Sequence, residues 1–162
     1  MNKLKLGLVS CGFLGCAPVA PGTFGTLGGV AIAWGLSFTG HYLAWSLATC
    51  VILYGIGRSL GSWAESYAGK KDPGIFVLDE VIGYLLTVAW IASPSPLALC
   101  VAFFVFRFFD IWKPAPASHM EKIPGGDGIL LDDVVAGLMG FLFVMLPARL
   151  LLDLPWSLGG SV

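Results

Sequence analysis

The chain reads as an all-α, multihelical, membrane-associated bundle built from short apolar helices and hairpins, and three observations carry that expectation. Its residues are 57% hydrophobic and 12% charged, against about 45–50% and about 25% in ordinary globular chains. Its charge is segregated: residues 6 to 57 hold no Asp, Glu, Lys or Arg, whereas Arg58 to Glu80 holds seven of the 19 charged residues and Arg107 to Asp133 holds eight. Its apolar sequence is cut into five segments by Gly, Pro and polar residues. Apolar helices in lipid with polar stretches in water give this pattern. The competing reading is a soluble helical domain with an unusually apolar core. A mean hydropathy of +0.85 excludes a disordered tail, and a net charge of −1 offers no attraction to a polyanion, so no nucleic-acid partner is expected.

Taken in order, Lys3 and Lys5 precede an apolar run, Leu6 to Val9, that is shorter than the roughly 7–15 residues of a signal-peptide core, so no processing is expected. Cys11, Cys16, Cys50 and Cys100 lack Cys-x-x-Cys spacing or nearby His and read as buried thiols rather than a disulfide framework or zinc site. Leu27 to Phe38 and Tyr42 to Gly57 flank Thr39-Gly40-His41, a break suited to a helical hairpin. Val81 to Ala92 and Leu97 to Phe106 flank Ser93-Pro94-Ser95-Pro96, where proline removes backbone donors. Val134 to Ala148 is the fifth segment. At 1.5 Å per residue these span about 15 to 24 Å, below the roughly 30 Å of a hydrocarbon core, so they need polar flanks in their helices or enter only in part.

Pairing the segments as hairpins puts both charged stretches on one side, with Lys3, Lys5, Arg58, Lys70, Lys71, Arg107, Lys113 and Lys122. The positive-inside rule makes that side cytoplasmic, with Arg149 the exception. Glycines at helical spacing, Gly55, Gly57 and Gly61 or Gly137 and Gly140, would let helices approach closely. No repeat or boundary divides the chain, and one domain over 1–162 is expected.

Four constellations could carry chemistry. Ala20-Pro21-Gly22-Thr23-Phe24-Gly25-Thr26 could present N–H groups and hydroxyls to an anion at a helix start, or could be a loop in which Thr23 or Thr26 caps. Asp79-Glu80 opens an apolar helix with Asp72 seven residues earlier; two adjacent acids exceed what dipole capping needs and suit a hard divalent cation. In Arg107-Phe108-Phe109-Asp110-Ile111-Trp112-Lys113, a helix continuing to Lys113 places Arg107, Asp110 and Lys113 on one side, with an Arg–Asp pair or a phosphate as the partner. Asp132-Asp133 again directly precedes an apolar segment. Two acid pairs with two cations match a Mg²⁺ and phosphate site better than coincident caps. There is no Cys-x5-Arg, Walker-type phosphate loop or Asp-x-Asp pair, and neither His41 nor His119 has a catalytic partner in sequence.

Together these segments resemble the phosphatidylglycerophosphatase A family: Pro21-Gly22-Thr23-Phe24-Gly25-Thr26, Asp79-Glu80-Val81-Ile82-Gly83, Phe106 to Asp110 with Lys113-Pro114-Ala115-Pro116, and Gly126-Asp127-Gly128 through Asp132-Asp133 to Gly137. They occur in order over about residues 12 to 145, with Thr26 where the family often has Ser. The resemblance implies a multihelical fold and a Mg²⁺-dependent phosphatase that converts phosphatidylglycerophosphate to phosphatidylglycerol in a bacterial cytoplasmic membrane. On that reading Asp79, Glu80, Asp132 and Asp133 bind metal, with one a candidate base, and Arg107, Lys113, Thr23 and Thr26 meet the phosphate. Asp110 is a nucleophile, a base or the residue that orients Arg107, and the part played by Asp72 is open. A transporter or ion-coupling protein would instead place acids deep in its spans, and a scaffold would tolerate their loss. Oligomeric state is not legible.

Overall fold

Proline at the first position of a helix loses no intrahelical hydrogen bond and arrives with a helical φ, and two of the principal helices begin that way. The computed structural model describes residues 2–120, 122–123 and 125–157. In it α1 (Asn2–Val9) and a 3₁₀ turn (Leu14–Cys16) lead to α2 (Pro21–Ser37), from which α3 (Tyr42–Ala68) returns after the Thr39-Gly40-His41 break. The short α4 (Leu78–Thr87) is followed by α5 (Pro96–Trp112), whose first turn is capped by Ser95 accepting from the Ala98 N–H at 3.2 Å. A single turn, α6 (Ala117–Met120), precedes α7 (Gly126–Gly140), a π-helical stretch (Phe141–Met145) and α8 (Leu146–Leu151). The π stretch sits just before Pro147, which has no N–H to return to the preceding turn. Among the described residues there is no strand, so the all-α expectation holds. Of the domain expected over 1–162, residues 1, 121, 124 and 158–162 lie outside the described residues.

Several boundaries differ from expectation. Helix α3 runs through Arg58 to Ala68, and α7 begins at Gly126, before rather than after Asp132-Asp133. Two helices, Tyr42–Ala68 of 27 residues and Gly126–Leu151 of 26, are thereby long and apolar enough to cross a membrane. Charged residues are good helix formers, so apolar runs mark these helices without bounding them. Conversely, α4 stops at Thr87, five residues short of Ala92, and there Arg149 donates to the Val88 and Ala89 carbonyls at 3.3 and 3.2 Å and lies over the Trp90 ring. That lone cation, which ran against the charge pattern, meets the negative end of a helix. The cysteines are not uniformly buried: Cys50 is, Cys11 is half-buried, and Cys16 and Cys100 are exposed. Gly55 faces open space rather than another helix.

At 10 residues, about 15 Å, α4 cannot span a membrane alone, and it lies at the centre of the fold, packed by α2, α3, α5 and α7. Val81, Ile82, Tyr84 and Leu85 are buried around it. Its Tyr84 hydroxyl donates to the Leu99 carbonyl of α5 at 3.0 Å, and Thr87 Oγ1 lies 2.9 and 3.2 Å from the carbonyls of Gly83 and Gly137. Large apolar side chains stay exposed on the surrounding helices, among them Trp34, Trp45, Val51, Phe104, Ile111 and Phe143. Exposed apolar surface on that scale marks an interaction with lipid or protein.

Candidate active site

Glycine contacts bring the site together. Gly83 of α4 and Gly137 of α7 meet backbone to backbone: a Cβ built on Gly137 would lie 2.8 Å from the Gly83 Cα, and one on Gly83 would lie 2.6 Å from the Asp133 carbonyl oxygen. Asp79 and Asp133 each sit four residues, one turn, before those glycines. The crossing that only glycine permits therefore sets their carboxylates side by side. Helix α2 reaches the same point through Gly22, Gly25 and Gly29, where a Cβ would strike Glu80, Val77 and Tyr84 respectively. At Gly22 it would stand 2.5 Å from Glu80 Oε1 and 3.1 Å from Arg107 Nη1, so the start of α2 lies directly against an acid and a base of the site.

One carboxylate oxygen from each of Asp79, Glu80 and Asp133 lies within 4.8 Å of the other two. Asp79 and Asp133 are buried, as are Asp132 and Asp110. One Asp79 oxygen accepts the Glu80 N–H at 3.0 Å, the capping role that its place in the first turn predicts. Capping accounts for nothing further. Glu80 Oε2 and Asp132 Oδ1 are buried without a hydrogen-bond partner, a costly condition for a carboxylate. Burial, then the adjoining Glu80 carboxylate, hold the Asp79 carboxyl well above the usual carboxylate range, with Asp133 and Asp72 pushing the same way. Glu80 is raised too, chiefly by burial, against the opposing pull of Asp79 hydrogen bonding and Arg107.

Two cations border the cluster. Arg107 Nη1 pairs with Asp110 Oδ2 one turn along α5, and Lys113 Nζ lies 2.6 Å from Asp132 Oδ2. The helix does not continue to Lys113: α5 ends at Trp112, and Lys113 follows it in a left-handed conformation at φ 43° and ψ 56°. Asp110 in turn acts on both Glu80 and Asp133. Five carboxylates thus share a largely buried region with two cations, and the start of α2 adds the positive end of a helix dipole with no capping side chain.

The family model described as Phosphatidylglycerophosphatase A matches residues 7–148. The chain belongs to the phosphatidylglycerophosphatase A family. It is similar to Phosphatidylglycerophosphatase A of Escherichia coli K12, 33% identical over 146 residues (85% of this chain and 83% of the relative). It resembles the Haemophilus influenzae protein of the same name at 36% over 148 residues (89% and 88%). A Bacteroides thetaiotaomicron relative, provisionally named a phosphatidylinositol-3-phosphatase, is 36% identical over 148 residues (85% and 89%). No solved structure matches the chain. As a member of the phosphatidylglycerophosphatase A family, it is a phosphoric monoester hydrolase.

Within this chain, the sequence-selected residues divide. Asp79, Glu80, Asp110, Asp133 and Arg107 converge, and Asp132 with Lys113 adjoins them. Thr26 is fully buried, its hydroxyl donating to the Gly22 carbonyl at 2.8 Å, so it braces the first turns of α2. Thr23 is half-buried in that first turn, and neither threonine caps a helix that already begins at Pro21. Asp132-Asp133 lies two turns inside α7, where dipole capping does not operate. Asp72, left-handed at φ 45°, lies near enough to act electrostatically on both Asp79 and Asp132. Nothing in the sequence marked Thr87 or the pairing of Gly83 with Gly137.

Proposed function

We propose that the chain is a Mg²⁺-dependent phosphatase that hydrolyses the terminal phosphate monoester of phosphatidylglycerophosphate, yielding phosphatidylglycerol and inorganic phosphate, at the cytoplasmic face of a bacterial cytoplasmic membrane. The observation that carries this reading is the convergence of Asp79, Glu80 and Asp133 beside the Arg107–Asp110 pair, in a chain of this family. The donor set fits Mg²⁺: it is all hard oxygen, it contains the unpartnered Glu80 Oε2 and Asp132 Oδ1, and its excess of negative charge would repel a phosphate unless a divalent cation stood between them. Asp79, Glu80 and Asp133 would hold the ion, with Asp132 adjacent. When bound, Mg²⁺ supplies Lewis-acid polarisation of the phosphoryl oxygens.

The chain's own groups supply the rest. Arg107, held by Asp110, offers a planar fork to phosphate oxygens, and the start of α2 at Gly22 offers its dipole. Asp110 is the orienter of Arg107 on this geometry, which leaves a carboxylate of the Asp79, Glu80 and Asp133 cluster to accept a proton from the attacking water. Water adds to phosphorus, the bond from phosphorus to the glycerol oxygen breaks, and that oxygen takes up a proton. Two potential spans with charged ends near the site, and the basic residues on that side, support the membrane placement.

Phosphate release from phosphatidylglycerophosphate in detergent tests the reading. Activity is expected only with Mg²⁺, is expected to exceed that on phosphatidylinositol 3-phosphate, and should vanish in Asp79→Asn and Asp133→Asn. Full activity in chelator, or in both variants, would overturn the metal assignment; a preference for the inositol lipid would overturn the substrate.

A further inference from the structure

Helices α2 and α5 carry the polar start of α2 and Arg107 at one end, and they part further along to leave an apolar slot. The slot is an open groove of about 540 Å³ lined by Leu27, Val30, Ala31 and Trp34 of α2 and by Leu99 and Cys100 of α5, beside Pro96. That volume lies within the roughly 300–1,000 Å³ of small-molecule sites, and no charged residue lines it. Its walls are single helical stripes, spaced i, i+3, i+4, i+7 on α2. Followed one turn toward the start of α2, that stripe arrives at Thr23, beside the Gly22 that abuts Glu80 and Arg107. Followed along α5 from Leu99 by i+4 and i+8, it passes Phe103 and arrives at Arg107 itself. The two helices are antiparallel in this respect, since Gly22 of α2 lies against Arg107 late in α5 while Trp34, late in α2, lines the same slot as Pro96 at the start of α5.

We propose that this slot holds an acyl chain of the lipid substrate while its phosphate sits at the carboxylate cluster. Leu27, Ala31, Trp34 and Cys100 are all exposed at the slot, so the chain enters sideways from the surrounding lipid without leaving an apolar medium. Continuity of both stripes with the phosphate end distinguishes this slot from the apolar pocket of about 230 Å³ around Cys50, Val51 and Ile82, which borders no residue of the cluster. The slot gives the site a measure of chain length: a substrate with short chains reaches the cluster but does not fill the slot. The inference rests on the lipid phosphatase reading above.

The test fills the slot from either wall. Cys100→Trp and, separately, Ala31→Trp are assayed with Mg²⁺ on dipalmitoyl and dihexanoyl phosphatidylglycerophosphate in detergent micelles. Each variant is expected to raise KM for the long-chain substrate roughly tenfold, the scale on which apolar pockets discriminate, and to leave the short-chain substrate within about twofold of the unmodified enzyme. Preserved short-chain turnover also reports that each variant is folded. Equal losses on both substrates, or no loss on either, would overturn the slot. An unmodified enzyme inactive on both lipids would instead overturn the substrate reading on which the slot depends.

Discussion

Asp127 and Asp133 are six residues apart on α7 and do opposite things. Asp127 is in the first turn, half-buried, with one oxygen accepting from the Tyr54 hydroxyl at 2.8 Å and the other 3.2 Å from Arg58 Nε. It faces the positive end of the helix, and partners meet both its oxygens. Asp133 is two turns in, buried, and set among Glu80, Asp110 and Asp132, all of its own sign. Capping and pairing with an opposite charge explain the first acid and do not explain the second. A chain with ten acidic residues that concentrates five in such surroundings maintains a cost that folding alone does not require.

The largest expected effect separates these two acids. Asp133→Asn is expected to lower kcat at least about 10³-fold in the Mg²⁺-supplemented phosphate-release assay, the scale of losing a transition-state electrostatic contact. In chelator its melting temperature should be no lower than that of the unmodified protein, because the substitution removes a like-charge repulsion. Asp127→Asn should keep its rate. Comparable losses of rate in both would mean that the cluster is merely the more buried part of one structural network. Arg107→Lys comes next: it keeps the charge and loses the fork, and a fall of roughly 10²-fold in kcat/KM is expected. An unchanged value would leave Arg107 as a partner of Asp110 only.

The third effect reads the scaffold. Gly137→Ala must displace α4, since its Cβ would stand 2.8 Å from the Gly83 Cα. Overpacking of this kind costs about 1–3 kcal/mol, and moving Asp79 relative to Asp133 should lower kcat as well as the denaturation midpoint. Gly55→Ala, which meets open space, is the control and is expected to be neutral or slightly stabilising. Equal stability of the two variants would remove the glycine crossing as the device that assembles the site.

Sequence made the composition of the site legible because carboxylates and cations are rare in this chain, and rarity in an apolar background is itself a signal. It located Asp79-Glu80 at a helix start correctly, since apolar periodicity begins at Val81. It placed the start of α7 too late, because two glycines within Gly126-Asp127-Gly128 oppose helix locally. Tertiary contact overrides that preference: the start of α7 packs on α3, where a Cβ on Gly61 would lie 2.5 Å from the Gly126 Cα. Whether α5 continued to Lys113 was open for a related reason, since nothing in the local sequence reveals the left-handed end at which Lys113 bonds Asp132. Partnerships between distant helices, such as Gly83 with Gly137 or Arg149 with the end of α4, have no local signature.

The smallest effect belongs to the structural acid. Arg58 is mostly exposed and Asp127 partly so, and exposed pairs are worth about 0–1 kcal/mol. Arg58→Met should therefore shift stability by less than about 1 kcal/mol, reduced further in high salt, and leave the rate within about twofold. The Tyr54 bond to Asp127 joins α3 to α7 independently of that charge, so Tyr54→Phe should cost about 0.5–1.5 kcal/mol, the usual net value of one hydrogen bond. If instead Arg58→Met reduced the rate more than Arg107→Lys does, electrostatic coupling would extend from the first turn of α7 to its second and third, and the two acids would belong to one functional unit.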